Sequence, residues 1–287
     1  MSPIPTPAAL VQDIRGLVTL PDVYLRITTL VDDPDSSAAD IAKAASQDPS
    51  FSARLLQVAN SALYGFSGQI ATVSRAVTVI GTSQIRHLAL AMSVASSFAG
   101  LPNELVSMRN FWRHSLYCAL IARRLAREAR RADPDALFTA GLLHDIGALI
   151  VFNRLPAAAT EALTRVLDSG DELPVHEAER QVLGYDHADV GGELARLWKL
   201  PPLIVDCVAH HHDIAAAKAH PRETALVHLA NGLALMAEIG SLDPADVSPL
   251  DPRAWEITGL DEECLGPAVA EAQGGIEAAE RLFGGGS

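Results

Sequence analysis

The sequence predicts an all-α protein. Along most segments, apolar residues recur at steps of three and four, which is the helical period, and the alternation typical of a half-buried strand is scarce. Apolar residues make up 49% of the 287 residues, which is enough to fill a substantial core. Helix-start residues and Gly or Pro breaks bracket the periodic segments, so the individual helices can be placed in order.

The first part of the chain contains four helical segments. Asp35-Ser36-Ser37 is an N-cap cluster before AADIAKAAS, and Asp48-Pro49 begins the segment FSARLLQVANSAL, with proline near its first turn. Glycines at 65 and 68 break this second helix. A third helix over about 74–79 reaches Gly81, and SQIRHLALAMSVASSFA forms a fourth.

More helices follow the break at Leu101-Pro102. Asp133-Pro134 is predicted to cap one long helix, ALFTAGLLHDIGALIVF. The stretch SLDPADVSPLDP (241–252) has three prolines and no helical period, which predicts a surface connection. The predicted helices span about 107–131, 136–152, 156–169, 174–183, 187–198, 201–212, 221–239 and 261–283, before a flexible GGGS end.

Composition excludes several classes of function. Lys and Arg number 22 against 35 Asp and Glu, a formal charge of −13, and aromatic residues are only 5%. Both observations argue against nucleic-acid binding. An arginine-rich end of the 107–131 helix leaves that alternative open, but cations that offset the helix dipole are favoured. Three widely spaced cysteines, no signal peptide and no apolar run of about 18 residues predict a cytoplasmic protein without a membrane span.

The strongest functional signal is ten histidines, nine of which follow residue 107. Imidazole and carboxylate, as in His144-Asp145, are ligands for Zn, Fe or Mn. Neighbouring side chains on a continuous helix diverge by about 100°, so this pair needs converging helices, which Gly147 would permit. His114, His187 and the triplet 210–212 lie on separate predicted helices. Histidines on facing helices build metal sites in helix bundles.

Simpler roles for these side chains stay open. A single histidine on an apolar helix face is often a hydrogen-bonded core residue. Cys118 and Cys207 lie four residues from His114 and His211, so they could face the same site, but small core residues are the favoured interpretation. The remaining histidines have no partner pattern and are predicted to be incidental: His87, His176, His220 and His228.

Strings in both halves of the chain resemble the HDOD family, the HD-related output domain of bacterial signalling proteins. The first is QDPSFSARLLQVANSALYGFSGQIATVSRAVTVIG; the others are FWRHSLYCALIARRLA, AGLLHDIGALIV, ERQVLGYDHADVGGELARLWKLP and AHHHD. The resemblance extends over about 20–282. It implies an N-terminal helical bundle packed on a C-terminal HD-like five-helix core. The corresponding division is an extension (1–19), the bundle (20–102), the core (103–240), and a connection with a terminal helix and tail (241–287).

By the same resemblance, the chain belongs with the HD and HD-GYP metal-dependent phosphohydrolases, whose metal ligands match six positions here. They are His114, His144, Asp145, His187, His211 and His212, with a one-residue ambiguity because His210 precedes the last pair. The closing aspartate of the superfamily falls on Asn231, and an amide is a poorer ligand for a divalent ion. Asn110 and Ala148 replace a glutamate and a lysine of HD-GYP enzymes, and the DGxGYP motif is absent.

These departures favour a regulatory role. Only Asp145 among the six ligands is anionic, which favours one divalent ion (Fe, Mn or Zn) over two. We expect a stand-alone signalling protein that acts by association with signalling partners, or by binding a nucleotide-like ligand, with a degenerate metal site and little or no hydrolase activity. The alternative is a metal-dependent phosphohydrolase or phosphodiesterase acting on a nucleotide or cyclic dinucleotide. Nothing in the sequence identifies the partner or the oligomeric state.

A polar group in the first half has two interpretations. Asn60, Ser61 and Tyr64 lie where a helix is predicted to end, before Gly65. They could recognise a ligand. The favoured interpretation is that they form hydrogen bonds with the helix terminus, where backbone carbonyls lack partners.

Overall fold

A computed structural model of the chain describes residues 4–61, 66, 68–98, 105–130, 132–170, 172–241 and 250–283. Within these ranges the regular structure is helical and contains no strand, so the predicted all-α class is confirmed. The helices are α1 (Pro7–Ile14), α2 (Asp22–Asp32), α3 (Ala38–Ser46), α4 (Pro49–Ala59), α5 (Val73–Ile80), α6 (Thr82–Phe98), α7 (Met108–Ala129), α8 (Pro134–Leu143), α9 (Ile146–Arg154), α10 (Pro156–Asp168), α11 (Val175–Leu183), α12 (His187–Leu197), α13 (Pro202–His210), α14 (Pro221–Ile239), α15 (Pro252–Thr258) and α16 (Leu265–Phe283).

Residue contacts divide the chain into two compact units. The core unit comprises 1–18 and 101–273, and the small unit comprises 19–100 and 274–287. The first residues therefore belong to the core unit, where α1 packs on α12 and α9. The division predicted from the sequence, at residues 19, 102 and 240, stays a prediction.

The helices of the small unit begin where the sequence places caps. Ser37 accepts a hydrogen bond from the backbone of Asp40, whose carboxylate in turn accepts from the Ser37 N–H, a complete capping box. The carboxylate of Asp48 accepts a hydrogen bond from the Phe51 N–H and so caps α4, which has proline in its first turn. Both caps satisfy N–H groups that a helix cannot pair internally, so the short helices are fixed at their starts.

Asn60 ties the end of α4 to the loop that follows. Its Nδ2 donates to the carbonyls of Leu56 (2.7 Å) and Ile70 (2.8 Å), and its Oδ1 accepts from the Ile70 N–H at 2.8 Å. The hydroxyl of Ser61 donates to the Val58 carbonyl. The helix-terminus role predicted for both residues is therefore confirmed. Tyr64 and Gly65 lie outside the described residues.

In the core unit, α8 packs on α7 and α14, and α12 packs on α9 and α13. Glycines set two of these close approaches. A Cβ on Gly141 would lie 2.9 Å from the backbone of Ala119 in α7. A Cβ on Gly147 would lie 2.0 Å from the carbonyl oxygen of His187. The close helix approach predicted at Gly147 is confirmed, and it brings α9 against the start of α12.

The single helix predicted over 136–152 is wrong. α8 ends at Leu143 and α9 begins at Ile146, because the chain turns tightly between them: the Ala148 N–H donates to the Asp145 carbonyl at 2.8 Å. The stretch Pro134–Arg154 is long and apolar enough to cross a membrane by length and composition alone, but 89% of its most apolar part is buried inside the protein. Such burial is typical of the core helices of a globular domain.

Two further expectations need correction. The predicted surface connection is followed by an unpredicted helix, α15, capped by Asp251; residues 242–249 lie outside the described ranges, as does the GGGS end. The arginines near the end of α7 are not simply solvated. Arg123 is buried and pairs with Asp135 at 3.1 Å, and Arg124 pairs with Glu128 and Glu271.

Candidate metal centre

The six predicted ligands converge in the core unit as two overlapping sets. The four-residue set is Asp145, His187, His211 and His212; the three-residue set is His114, His144 and Asp145. Within each set the candidate ligand atoms lie within 4.8 Å of one another. His210 points to a different cavity, beside Arg196 and Asp189, so the structure brings His211 and His212, and not His210, to the cluster.

Asp145 lies at the centre of both sets. Its Oδ1 is 3.2 Å from Nε2 of His187 and 3.4 Å from Nε2 of His211. Its Oδ2 is 3.2 Å from Nε2 of His144 and 3.8 Å from Nε2 of His114. Each carboxylate oxygen therefore faces two imidazoles, which is the arrangement of a carboxylate that can serve either set or bridge them.

The break between α8 and α9 makes this convergence possible. On a continuous helix the side chains of His144 and Asp145 would diverge by about 100°. Because the helix ends at this point, both side chains face the same region, with His144 Nε2 and Asp145 Oδ2 only 3.2 Å apart. The pair thus combines with histidines from α7, α12 and the end of α13.

Backbone carbonyls fix the ring orientation of two buried histidines. Nδ1 of His144 donates to the Gly141 carbonyl at 2.7 Å, and Nδ1 of His211 donates to the Val208 carbonyl at 3.0 Å. Since each Nδ1 carries its hydrogen outward, each Nε2 is directed at Asp145. Both Nε2 atoms, together with Asp145 Oδ1, are buried atoms without a well-formed hydrogen bond. Buried polar atoms are rarely left in this state unless an ion or water completes the site.

Glu179 holds the third imidazole from behind. Its Oε2 accepts from Nδ1 of His187 at 2.6 Å and from the His187 backbone N–H at 2.9 Å. Glu179 is 1% exposed. The sequence analysis missed this residue, although it lies in the string ERQVLGYDH eight residues before His187. A carboxylate behind a ligating histidine is a common outer partner in metal sites.

His212 completes the four-residue set and contacts a histidine, His176, for which no role was predicted. Its Nε2 lies 3.0 Å from Nε2 of His187. The ring of His176, predicted to be incidental, stacks on the ring of His212 with centroids 4.0 Å apart. His228, by contrast, uses both ring nitrogens in hydrogen bonds to the backbone of His211 and Asp251, so it supports the site from outside.

In the three-residue set, Asn231 and Glu238 on α14 contact the two ring nitrogens of His114. Oδ1 of Asn231 lies 2.9 Å from Nε2 of His114, and Oε2 of Glu238 lies 3.1 Å from its Nδ1. Asn231 therefore contacts His114, one of the six predicted ligands. The sequence analysis did not predict a role for Glu238. Its position could have indicated one, because it lies seven residues, or two helical turns, after Asn231 and therefore on the same helix face.

The electrostatics of the cluster are dominated by burial and by Asp145. Burial opposes charge on His144 and His187, yet the neighbouring carboxylates, Asp145 for the first and Glu179 with Asp145 for the second, raise the pKa of both imidazoles well above the usual value. Burial and neighbouring histidines lower the pKa of His211 to about 4 and that of His212 well below its usual value. Burial also opposes ionisation of Asp145, but the surrounding imidazoles hold its pKa well below the usual range.

A cavity of about 660 Å³ opens onto the cluster. Apolar side chains, including Phe111 and Phe152, line much of it. Ala148, where a lysine was expected by resemblance, and Asn110 are also in its wall. Among the described residues that line the cavity, Arg113 is the one Lys or Arg. The cavity therefore combines an apolar wall, a cluster of ligand atoms, one arginine and the carboxylates of Asp145, Glu179 and Glu238.

Cys118 and Cys207 belong to neither ligand set. Both are free, fully buried thiols. Burial raises the pKa of the Cys207 thiol, which keeps it protonated and a poor ligand. Cys207 therefore fits the favoured interpretation of a small core residue. Cys118 is equally buried, but its side chain interacts with His144 and so faces the ligand cluster.

Comparison with known proteins defines the family. The HDOD domain profile matches residues 17–214, and the chain belongs to the HDOD family. An uncharacterized protein of Treponema pallidum is 26% identical over 213 residues, which cover 73% of this chain and only 40% of that protein's length. The domain profile confirms the resemblance seen in the sequence.

Two solved structures share the fold. An HDOD domain protein of unknown function from Geobacter sulfurreducens aligns with a TM-score of 0.74 at 23% identity, over 96% of this chain and 98% of that one. A protein of Shewanella amazonensis, provisionally named a phosphohydrolase, aligns with a TM-score of 0.75 at 26% identity, over 95% and 97% of the two chains. Both alignments cover nearly the whole chain, so the helical architecture is that of HDOD proteins.

Proposed function

We propose that this chain is an HDOD signalling module that holds one divalent transition metal ion, Fe, Mn or Zn, and acts by association with a signalling partner, with little or no hydrolase activity. The observation that carries the metal is that buried atoms of the cluster lack hydrogen bonds. Two of them, Nε2 of His211 and Oδ1 of Asp145, belong to the four-residue set, and Nε2 of His144 faces the other oxygen of Asp145. Imidazole nitrogens with one carboxylate form a donor set typical of these ions.

The four-residue set is the better holder of the ion. Three imidazoles and one carboxylate reach the usual number of ligands for zinc. Outer partners orient the rings of His187 and His211, which reduces the cost of assembling the site. When bound, the ion would supply a positive charge that attracts and polarises an anionic ligand.

A second ion is disfavoured by the three-residue set. Oδ1 of Asn231 already contacts Nε2 of His114 at 2.9 Å, and the amide carries no negative charge. Asp145 would have to serve both ions as their one directly ligating carboxylate. Two divalent cations beside a single anionic ligand repel each other strongly in a partly buried site.

The cavity supports a phosphate-bearing, nucleotide-like ligand as the input to the module. Its apolar wall suits a base, and Arg113 adds a cation that can pair with a phosphate. The ligand would bind without turnover, because Ala148 and Asn231 stand where the resemblance expects a phosphate-binding lysine and a metal-binding aspartate. The output would be a change in association with a partner protein.

Metal-dependent hydrolysis of a nucleotide or cyclic dinucleotide is the second candidate. It is favoured by one observation: Asp145 faces both ligand sets and could bridge two ions. The provisional name of the Shewanella amazonensis relative, at 26% identity, points in the same direction. In this case His114 and His144 would hold the second ion despite Asn231.

Elemental analysis of protein purified without a chelating tag tests the metal. We expect close to one ion per chain in the native protein, about the same in Asp168→Ala, an exposed control, and less than a tenth of that in Asp145→Ala. A native protein with less than about a tenth of an equivalent, and no uptake of Mn²⁺, Fe²⁺ or Zn²⁺ on titration, contradicts the proposal.

Hydrolysis assays separate the two functions. Cyclic dinucleotides and generic phosphoesters should be turned over no faster by the metal-loaded native chain than by Asp145→Ala. A native rate well above that of Asp145→Ala would establish the hydrolase instead. In affinity capture, the metal-loaded native chain should then recover a partner protein that Asp145→Ala does not recover.

A further inference from the structure

Glu179 is an acidic side chain buried directly behind the metal-ligand candidate His187. We propose that it is a positioning residue of the metal centre: it holds His187 through Nδ1 and supplies a second negative charge to the four-residue set. This inference rests on the metal site proposed above. Glu179 is 1% exposed and accepts two hydrogen bonds from His187, one from the ring at 2.6 Å and one from the backbone at 2.9 Å.

The backbone between α11 and α12 fixes Glu179 in this place. α11 ends at Leu183 and is followed by Gly184, whose φ of 84° allows the left-handed turn that other residues adopt at a cost. Asp186 then caps α12 in a capping box with Asp189. Arg180, one residue after Glu179, pairs with Asp186 at 2.9 Å. This double attachment sets the spacing between Glu179 and the first residue of α12, His187.

The two hydrogen bonds determine how His187 meets an ion. With Nδ1–H directed at Glu179, the lone pair of Nε2 is the nitrogen available to the ion, and it already lies 3.2 Å from Asp145 Oδ1. A carboxylate that accepts from Nδ1 also increases electron density on the imidazole, which strengthens its bond to a cation. The second oxygen, Oε1, is buried without a hydrogen bond and leaves the full charge of Glu179 close to the site.

This placement changes the charge of the site. With Asp145 alone, one divalent ion would leave the four-residue set with a net charge of about +1. Glu179 brings the total to neutral, since two carboxylates balance one divalent ion. The residue therefore explains how a single ion can be held in a buried cluster whose direct ligands include only one anion.

The test compares Zn²⁺ affinity in Glu179→Gln with that of the native chain, using calorimetric titration against a competing chelator. Glutamine keeps the size and can still accept from His187, so a purely structural role would be preserved while the charge is lost. We expect affinity to fall about 10- to 100-fold. Glu177→Gln, an exposed neighbour on α11, is the matched control and should bind within about twofold of native.

The outcomes are distinct. Native chain that takes up none of Zn²⁺, Mn²⁺ and Fe²⁺ overturns the metal site and this inference together; if it takes up Mn²⁺ or Fe²⁺ instead of Zn²⁺, the same comparison is made with that ion. Native chain that binds while Glu179→Gln binds equally well overturns the role of Glu179 alone. If Glu179→Gln does not fold, nitrogen NMR of the Zn²⁺-loaded native chain decides: we expect His187 ligated through Nε2 with a slowly exchanging hydrogen on Nδ1. Ligation through Nδ1, or no such hydrogen, overturns the inference.

Discussion

Gly147→Ala tests the close approach of α9 and α12 that carries the site. The added Cβ would lie 2.0 Å from the His187 carbonyl oxygen and 2.4 Å from the Gly191 nitrogen, whereas contacts of this kind under 3.0 Å are essentially never seen. The two helices must therefore separate by about 1 Å. Overpacking of this kind costs about 1–3 kcal/mol, and here both neighbours are backbone atoms that cannot rotate away, so we expect about 3 kcal/mol.

Thermal unfolding of the chelator-treated protein measures this cost. For a domain of this size, about 3 kcal/mol lowers Tm by roughly 6–12 °C. Gly266→Ala is the control: it lies in α16 with nothing within 4 Å of the new Cβ, and alanine favours a helix, so its Tm should be unchanged or slightly higher. Because the separation of α9 and α12 in Gly147→Ala moves His187, the Zn²⁺ affinity of this variant should also fall at least about tenfold. A Gly147→Ala protein that melts within about 2 °C of native refutes this reasoning.

Three further results are expected. Asn231→Asp adds a carboxylate beside His114 and should raise the Zn²⁺ affinity of the three-residue set about tenfold, seen in a titration as uptake beyond the first ion; unchanged uptake would mean that position 231 contributes no ligand to that set. The raised pKa values of His144 and His187 stabilise the metal-free chain fully below about pH 6.5, the ordinary histidine value, and this effect is lost as the pH rises through the higher folded-state values. The Tm gained on adding metal should therefore grow as the pH is raised above about 6.5, and a gain that shrinks instead contradicts the assigned protonation. Asn60→Ala leaves backbone groups of the small unit without partners and should cost about 2 kcal/mol in denaturant unfolding, with Zn²⁺ affinity unchanged; a loss below about 0.5 kcal/mol would show that these hydrogen bonds are replaced by water.

The site is best understood as an imidazole cluster whose outer partners are already in place. Gly141 and Val208 offer carbonyls, and Glu179 offers a carboxylate, to the far nitrogens of three histidines. Such partners fix the ring orientation before any ion arrives. Asn231, which contacts His114, and Ala148 line the cavity that opens onto this cluster.

Local chemistry in the sequence predicted much of the fold. The caps at Ser37, Asp48 and Asp133 are short-range hydrogen bonds between neighbours in the chain, and the structure contains all three. Apolar periodicity placed most of the helices for the same reason. The break at His144 was missed, since the apolar pattern continues through it and only packing against α12 reveals the turn.

The sequence by itself determined the all-α class, the HDOD family and the six candidate ligands, because periodicity, caps and motif strings are local patterns. The tertiary structure decided which histidines meet: it separated His210 from His211 and His212, and it stacked His176 on the cluster. It also revealed Glu179 and Glu238 behind two ligands. These pairings join helices far apart in the chain, and their geometry depends on how the helices pack, which no local pattern of residues records.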